Sequence, residues 1–171
     1  KLKKVVLGKN LTTIGKKAFY KCIALTKITI PSQVKTIGAQ AFSGCKKLKT
    51  VTIGKRVVTI GASAFESCTK LTTVKGGASV QTIGQKAFKK CVALKKLTLQ
   101  TKVKKIGTQA FCDCKNLKTI TIKSKQLKSV GKNAIKNIKK NATIKVPKAK
   151  KKAYKKLFKS KTGYKKSMKV K

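Results

Sequence analysis

The stretch LTKITIPSQVKTIGAQAFSGCKKL, residues 25–48, holds one whole period of the chain and decides its fold. Its landmarks return every 23 residues. Isoleucine followed by glycine stands at Ile14-Gly15, Ile37-Gly38, Ile60-Gly61, Ile83-Gly84 and Ile106-Gly107. Phenylalanine follows at Phe19, Phe42, Phe65, Phe88 and Phe111, and cysteine at Cys22, Cys45, Cys68, Cys91 and Cys114. Leucine closes each unit at Leu25, Leu48, Leu71, Leu94 and Leu117. A sixth, degenerate copy arrives one residue late, with Val130-Gly131, Ala134-Ile135 and Ile138 in the cysteine place. A fixed period of this length is the signature of a solenoid, whose coils bury their apolar faces against their neighbours. Such chains usually bind along an extended surface rather than catalyse in a pocket.

Within the quoted unit, Leu25, Ile28 and Ile30 are apolar, with Thr26, Lys27 and Thr29 between them. The alternation and the β-branched residues read as a short strand with one face buried. Pro31 ends it, and Val34 and Ile37 carry the apolar face through an extended corner. Gly38 supplies either a special backbone angle or a close approach that a side chain would block. Ala41, Phe42, Cys45 and Leu48 fit one face of a short helical turn. The expected architecture is an α/β repeat, with a parallel sheet on the concave face and short helical turns on the convex face. In the third coil Gly76 replaces Ile30 and Ile53, so Lys75-Gly76-Gly77 is an expected weak point in the sheet.

The solenoid spans residues 1–146, and residues 147–171 form a lysine-rich C-terminal cap. Asn141 to Val146 reads as the last strand. After Pro147, the residues Ala149, Ala153, Tyr154, Leu157 and Phe158 recur at three- and four-residue spacing. That spacing predicts an amphipathic helix of roughly three turns that covers the last coil. A basic helix lying on a membrane is the alternative. Gly163 is placed to end the helical segment, and Met168 and Val170 suit a short final strand. At the other end, Leu2, Val5 and Leu7 lie one period before Leu25, Ile28 and Ile30. The chain opens on Lys1 in mid-coil, so further coils or a cap are expected upstream.

Lysine and arginine number 46 against two acids, Glu66 and Asp113, for a formal charge of +44. A field this strong attracts polyanions at low salt whatever the biological role. There is no histidine. A Ser-His-Asp or Cys-His arrangement is therefore impossible, and the two carboxylates are too far apart in sequence to suggest a glycosidase pair. The chain also lacks a zinc or calcium ligand set and a phosphate-cradling loop. The expectation is a protein with no catalytic residue, no cofactor and no metal. No run of about 20 apolar residues is present to cross a membrane. Five of the six cysteines fall at one position per coil and are expected as a column of buried free thiols, because parallel equivalent side chains suit core packing better than disulfide geometry. Cys112 falls at an outward-looking position.

The consensus L-x-x-I-x-I-P-x-x-V-x-x-I-G-x-x-A-F-x-x-C-x-x-L resembles the BspA-like leucine-rich repeats, over about Leu2 to Val146. That resemblance implies a leucine-rich-repeat solenoid in a bacterial cell-surface or secreted (extracellular) protein, associated with adhesion to host or matrix proteins.

The outward positions of the strands fall into columns. One reads Lys27, Thr50, Thr73, Lys96 and Thr119, and the next Thr29, Thr52, Lys75, Thr98 and Thr121. A flanking column contains Lys49, Lys95 and Lys118. Threonine also fills such places simply because it favours exposed strand. As a binding surface, these residues offer ammonium and hydroxyl groups to a host or matrix protein, or to an anionic cell-wall or glycan polymer. Nucleic acid is expected only as a non-specific partner, because base-reading side chains and exposed aromatics are lacking. The competing expectations are a structural spacer within a larger surface protein and a generic polycation.

Overall fold

The computed structural model describes residues 2–171; Lys1, the first residue of the expected solenoid, lies outside them. In chain order the strands are β1 (Thr13–Ile14), β2 (Lys27–Thr29), β3 (Thr36–Ile37), β4 (Thr50–Ile53), β5 (Thr59–Ile60), β6 (Thr73–Gly76), β7 (Thr82–Ile83), β8 (Lys96–Leu99), β9 (Lys105–Ile106), β10 (Thr119–Ile122), β11 (Ser129–Val130) and β12 (Thr143–Lys145). Helix α1 (Lys151–Leu157) and strand β13 (Lys169–Val170) follow. From β2 to β11 each coil contributes one longer and one two-residue strand, and every pairing is parallel.

The expected strand face is present, from β2 to β13, and it breaks where Gly76 and Gly77 stand. One sheet runs β2-β4-β6 and a second β8-β10-β12-β13. Gly76 and Gly77 both take left-handed backbone angles, at φ +80 and +70. Gly76 still stands in register with Ile53, and Gly77 N–H donates to the Ile53 carbonyl at 2.9 Å, but β6 does not pair onward with β8. The corner at Thr36-Ile37 is more than an extended turn. It is a rung of a six-stranded parallel sheet, β1-β3-β5-β7-β9-β11, unbroken along the stack.

The convex segments are chains of single turns rather than helices. In the third coil the N–H groups of Ala64, Glu66 and Cys68 donate to the carbonyls of Gly61, Ser63 and Phe65, three residues back. The N–H groups between them, on Ser63, Phe65 and Ser67, donate instead to Gln85, Ala87 and Lys89 of the next coil at 2.7–2.8 Å. Ser63 and Ser67 sit at φ +53 and +59, which redirects every second N–H and stops a helix from propagating. The turns thus join neighbouring coils as firmly as the sheets do.

The core is a set of ladders. Ile37, Phe42, Cys45, Leu48 and Val51 are fully buried, and their equivalents repeat along the stack. The rings from Phe19 to Phe111 stack face to face at 5.1–5.7 Å. Ile135 continues the line in the sixth coil.

The C-terminal segment closes the stack by imitating a coil. Strand β13 pairs with β12, and the turn Ser160–Thr162 accepts N–H bonds from Asn133 and Ile135 through Lys161 and Thr162. Helix α1 is seven residues long with a single 3-10 turn before it, shorter than the spacing suggested. Its apolar face is already occupied: Tyr154 and Phe158 are buried. The Tyr154 hydroxyl donates to the Ser124 carbonyl and accepts from the Leu127 N–H, both at 2.9 Å. That leaves no apolar stripe for a membrane, and no helix among the described residues is long and apolar enough to cross one.

Candidate functional site: the long-strand face

The strand register sets the columns. Lys27 lies beside Thr50, and Thr50 beside Thr73. Thr29, Thr52 and Lys75 form the next file. Across the break, Lys96 pairs with Thr119 and Thr98 with Thr121. The flanking file is tied through the backbone, with Thr72 N–H donating to the Lys49 carbonyl and Lys118 N–H to the Lys95 carbonyl, both at 3.0 Å. The candidate residues therefore assemble into two panels, Lys27 to Lys75 and Lys95 to Thr121. All six lysines of these files, Lys27, Lys49, Lys75, Lys95, Lys96 and Lys118, are exposed. The threonines at the centre, Thr50, Thr52, Thr73, Thr119 and Thr121, are half-buried between them.

Sequence reasoning missed the extension of the second panel. Thr143 and Lys145 of β12 stand in register with Thr119 and Thr121, and Lys169 of β13 with Thr143. The sequence marks Asn141 to Val146 as a strand one residue out of phase, and the register shows that its outward residues join the same files. It also missed a column on the other sheet, Thr13, Thr36, Thr59, Thr82, Lys105 and Ser129.

Neither acid lies on a strand face. Glu66 and Asp113 both belong to the convex turns. Asp113 accepts a 2.8 Å hydrogen bond from the Asn137 side chain, which with nearby Cys112, Lys89 and Lys90 holds its carboxyl below the usual carboxylate range. The strand face thus presents only hydrogen-bond donors of positive or neutral charge and hydroxyl acceptors. Carboxylates, sulfates and phosphates are the groups that match such donors in charge and hydrogen bonding.

The cysteines are not part of it. Cys45, Cys68, Cys91 and Cys114 are buried free thiols, and each donates to the carbonyl of the phenylalanine in the preceding coil at 3.0–3.2 Å. Cys22, at the first coil, is only half-buried. Burial pushes the Cys45 thiol up to about 12, and Cys68 and Cys91 are raised by the same cause. Because the folded state holds the proton more tightly, this contribution to stability is complete below the ordinary thiol value of 9.0 and is lost as pH rises toward 12. Cys112 corrects the sequence reading. It is 4% exposed, although Tyr20, at the same place in the first coil, is 39% exposed. Lys89 and Lys136 of the adjoining coils lie close by, and burial raises its thiol too. A disulfide reagent at about pH 8 should therefore label Cys22 within minutes and leave the four column thiols protected until the chain is denatured. Rapid labelling of more than two thiols in the native protein would contradict the column.

A sequence profile described as the BspA type Leucine rich repeat region matches the chain in six copies, over residues 1–99 and 81–168. Among solved structures, the chain is similar to a T. pallidum leucine rich repeat protein, 26% identical with a TM-score of 0.70, over 91% of this chain and 78% of that one. It is similar to a leucine-rich repeat protein from Bacteroides ovatus, 24% identical with a TM-score of 0.67, over 96% of this chain and 52% of that one. It is also similar to a leucine rich cell surface protein from Faecalibacterium prausnitzii, 24% identical with a TM-score of 0.59, over 85% of this chain and 46% of that one. The chain thus spans about half the length of the latter two, and those likenesses speak to fold alone. No curated protein matches it.

Proposed function

We propose, from the premise that this chain belongs to the BspA-type leucine-rich repeat family, that it is a non-enzymatic binding module of a bacterial cell-surface or secreted protein. Its long-strand face takes an anionic partner, either an acidic patch of a host or matrix protein or an anionic wall or glycan polymer. The observation that carries the reading is the set of registered lysine and threonine columns with no acid among them. A field of one sign over an extended face raises the local concentration of an oppositely charged partner and speeds its encounter. The surface location rests on the family, and the Faecalibacterium relative described as a cell surface protein supports it.

The reading makes position matter, beyond charge. Reversing Lys27, Lys75 and Lys96 together removes three exposed pairings of about 0.5–1 kcal/mol each, so affinity should fall at least about tenfold. Reversing Lys16, Lys86 and Lys89, on the turn side, changes the net charge equally and should cost no more than about threefold. The measurement is binding to teichoic acid, a sulfated glycan, duplex DNA, an uncharged glycan and fibrinogen across a salt series. One partner retained saturably at about 0.15 M salt supports a defined site. Collapse of every anion together, with equal losses in the two triple variants, overturns it in favour of a spacer or a generic polycation.

A further inference from the structure

The break in the long-strand face is more than a gap between panels. In the coils around it, the inward side chains Ile30, Ile53, Leu99 and Ile122 fill the core to between 1% and 5% exposure. The third coil has Gly76 in that place, which removes a whole aliphatic side chain from the row. Beneath the seam lies a cavity of about 30 Å³, lined among others by Ile53, Val74, Val80, Phe88, Leu97 and Leu99. By the same measure a water needs roughly 10–15 Å³ and several polar partners, so a pocket this apolar suits the end of a small aliphatic side chain better. The pocket reaches the strand face, because exposed Gly76 and Thr98 also line it. Val74 is half-buried there, whereas its register mate Val51 is fully buried.

The backbone along the seam is open as well. Lys49 N–H donates to the Thr26 carbonyl at 2.8 Å, Thr72 N–H to Lys49 at 3.0 Å and Lys118 N–H to Lys95 at 3.0 Å. Among the described residues, the matching bond from Lys95 N–H to the Thr72 carbonyl is not made. Thr72 and Lys95 are both exposed, so this donor and this acceptor are open to a partner laid along the strand face. Lys75, Lys95 and Lys96 stand at the rim, all exposed.

We propose that the seam is a side-chain recognition pocket for an extended segment of a protein partner, one aliphatic residue entering the apolar cavity that Gly76 and Leu97 line and flanking carboxylates meeting Lys75, Lys95 and Lys96. This rests on the strand-face reading and narrows it to a protein ligand with alternating acidic and aliphatic residues. Charge selects the anion, and the pocket selects the side chain between the charges.

The test uses the full chain and two acetylated heptapeptides, one alternating aspartate with valine and one alternating aspartate with glycine. At about 0.15 M salt the valine peptide should bind at least about tenfold more tightly, as expected for one aliphatic group entering an apolar pocket. Methyl resonances of Val74, Leu97 and Leu99 should shift on binding. The Lys75→Glu/Lys96→Glu variant, altered only at exposed side chains, should lose the interaction. If the two peptides bind alike and the variant weakens both, the pocket is overturned and the strand-face reading stands. If resonance changes fall on the convex turns and the variant binds unchanged, both are overturned. Failure of the valine peptide to bind at all overturns the pocket.

Discussion

Phe65→Ala should lower the stability of the solenoid by roughly 3–5 kcal/mol, the range for truncating a buried aromatic ring. Phe65 is fully buried and lies in the middle of the ladder, stacked on Phe42 at 5.3 Å and on Phe88 at 5.2 Å. Removing it strips one contact face from each neighbour and opens a void that the hydrogen-bonded coils cannot close. A chain of this size should lose roughly 10–15 °C in thermal midpoint. Phe19→Ala provides the comparison. That ring is half-buried and stacks on one neighbour only, so the cost should be less than half as large. Equal losses at the two positions would show that the ladder is not the unit of stability.

Gly84→Ala is expected to be nearly as damaging although it adds only one methyl group. A β-carbon at Gly84 would stand 2.7 Å from the backbone nitrogen of Ala62 and the carbonyl carbon of Gly61. Backbone atoms cannot swing away, so the coils must part. Parting them breaks the 2.8 Å bond from Gly84 N–H to the Ile60 carbonyl and strains the rung at β7. Overpacking and the lost hydrogen bond together should cost about 3 kcal/mol. Gly15 holds the same repeat position in the first coil, yet a β-carbon there would meet nothing within 4 Å. Gly15→Ala should therefore leave stability within about 0.5 kcal/mol of the parent, or raise it slightly. Denaturant unfolding of the two variants side by side separates close approach from repeat identity. If both are neutral, coil stacking does not require the glycine.

These two expectations also show how far the sequence could be read. The glycine after isoleucine left two explanations open, a special angle or a close approach. The contacts around Gly38, Gly61, Gly84, Gly107 and Gly131 settle on the second. The longer strands were legible because Leu25, Ile28 and Ile30 alternate with polar residues. The Thr-Ile rungs were not, because two residues are too few to display a period. The helical expectation for the Ala-Phe-x-x-Cys segment came from spacing that a row of i to i+3 turns satisfies equally well. A signal against a helix was present in the column of Gly44, Asp113 and Asn137, residue types that tolerate left-handed angles, all three of which adopt them. The same column also carries Lys21 and Lys90, which disguised it. Cys112 looked exposed because its place in the repeat faces outward. Its long neighbours on the adjoining coils cover it, an effect of stacking that one coil read alone does not reveal. The candidate face was legible as columns, and the weak point at Gly76 as a break. The open pocket under that break depends on the depth of side chains from both panels.

The unequal continuity of the two sheets has a mechanical meaning. The short-strand sheet runs through every rung from β1 to β11, whereas the long-strand side is divided once. A force that pulls or bends the stack is carried on one side by an uninterrupted ribbon of parallel hydrogen bonds, and on the other by two shorter ones. At the division the coils are still held by the short-strand ribbon and by the turn bonds from Phe88 N–H to Ala110 and Lys90 N–H to Cys112, so the long-strand side is the one that can open there.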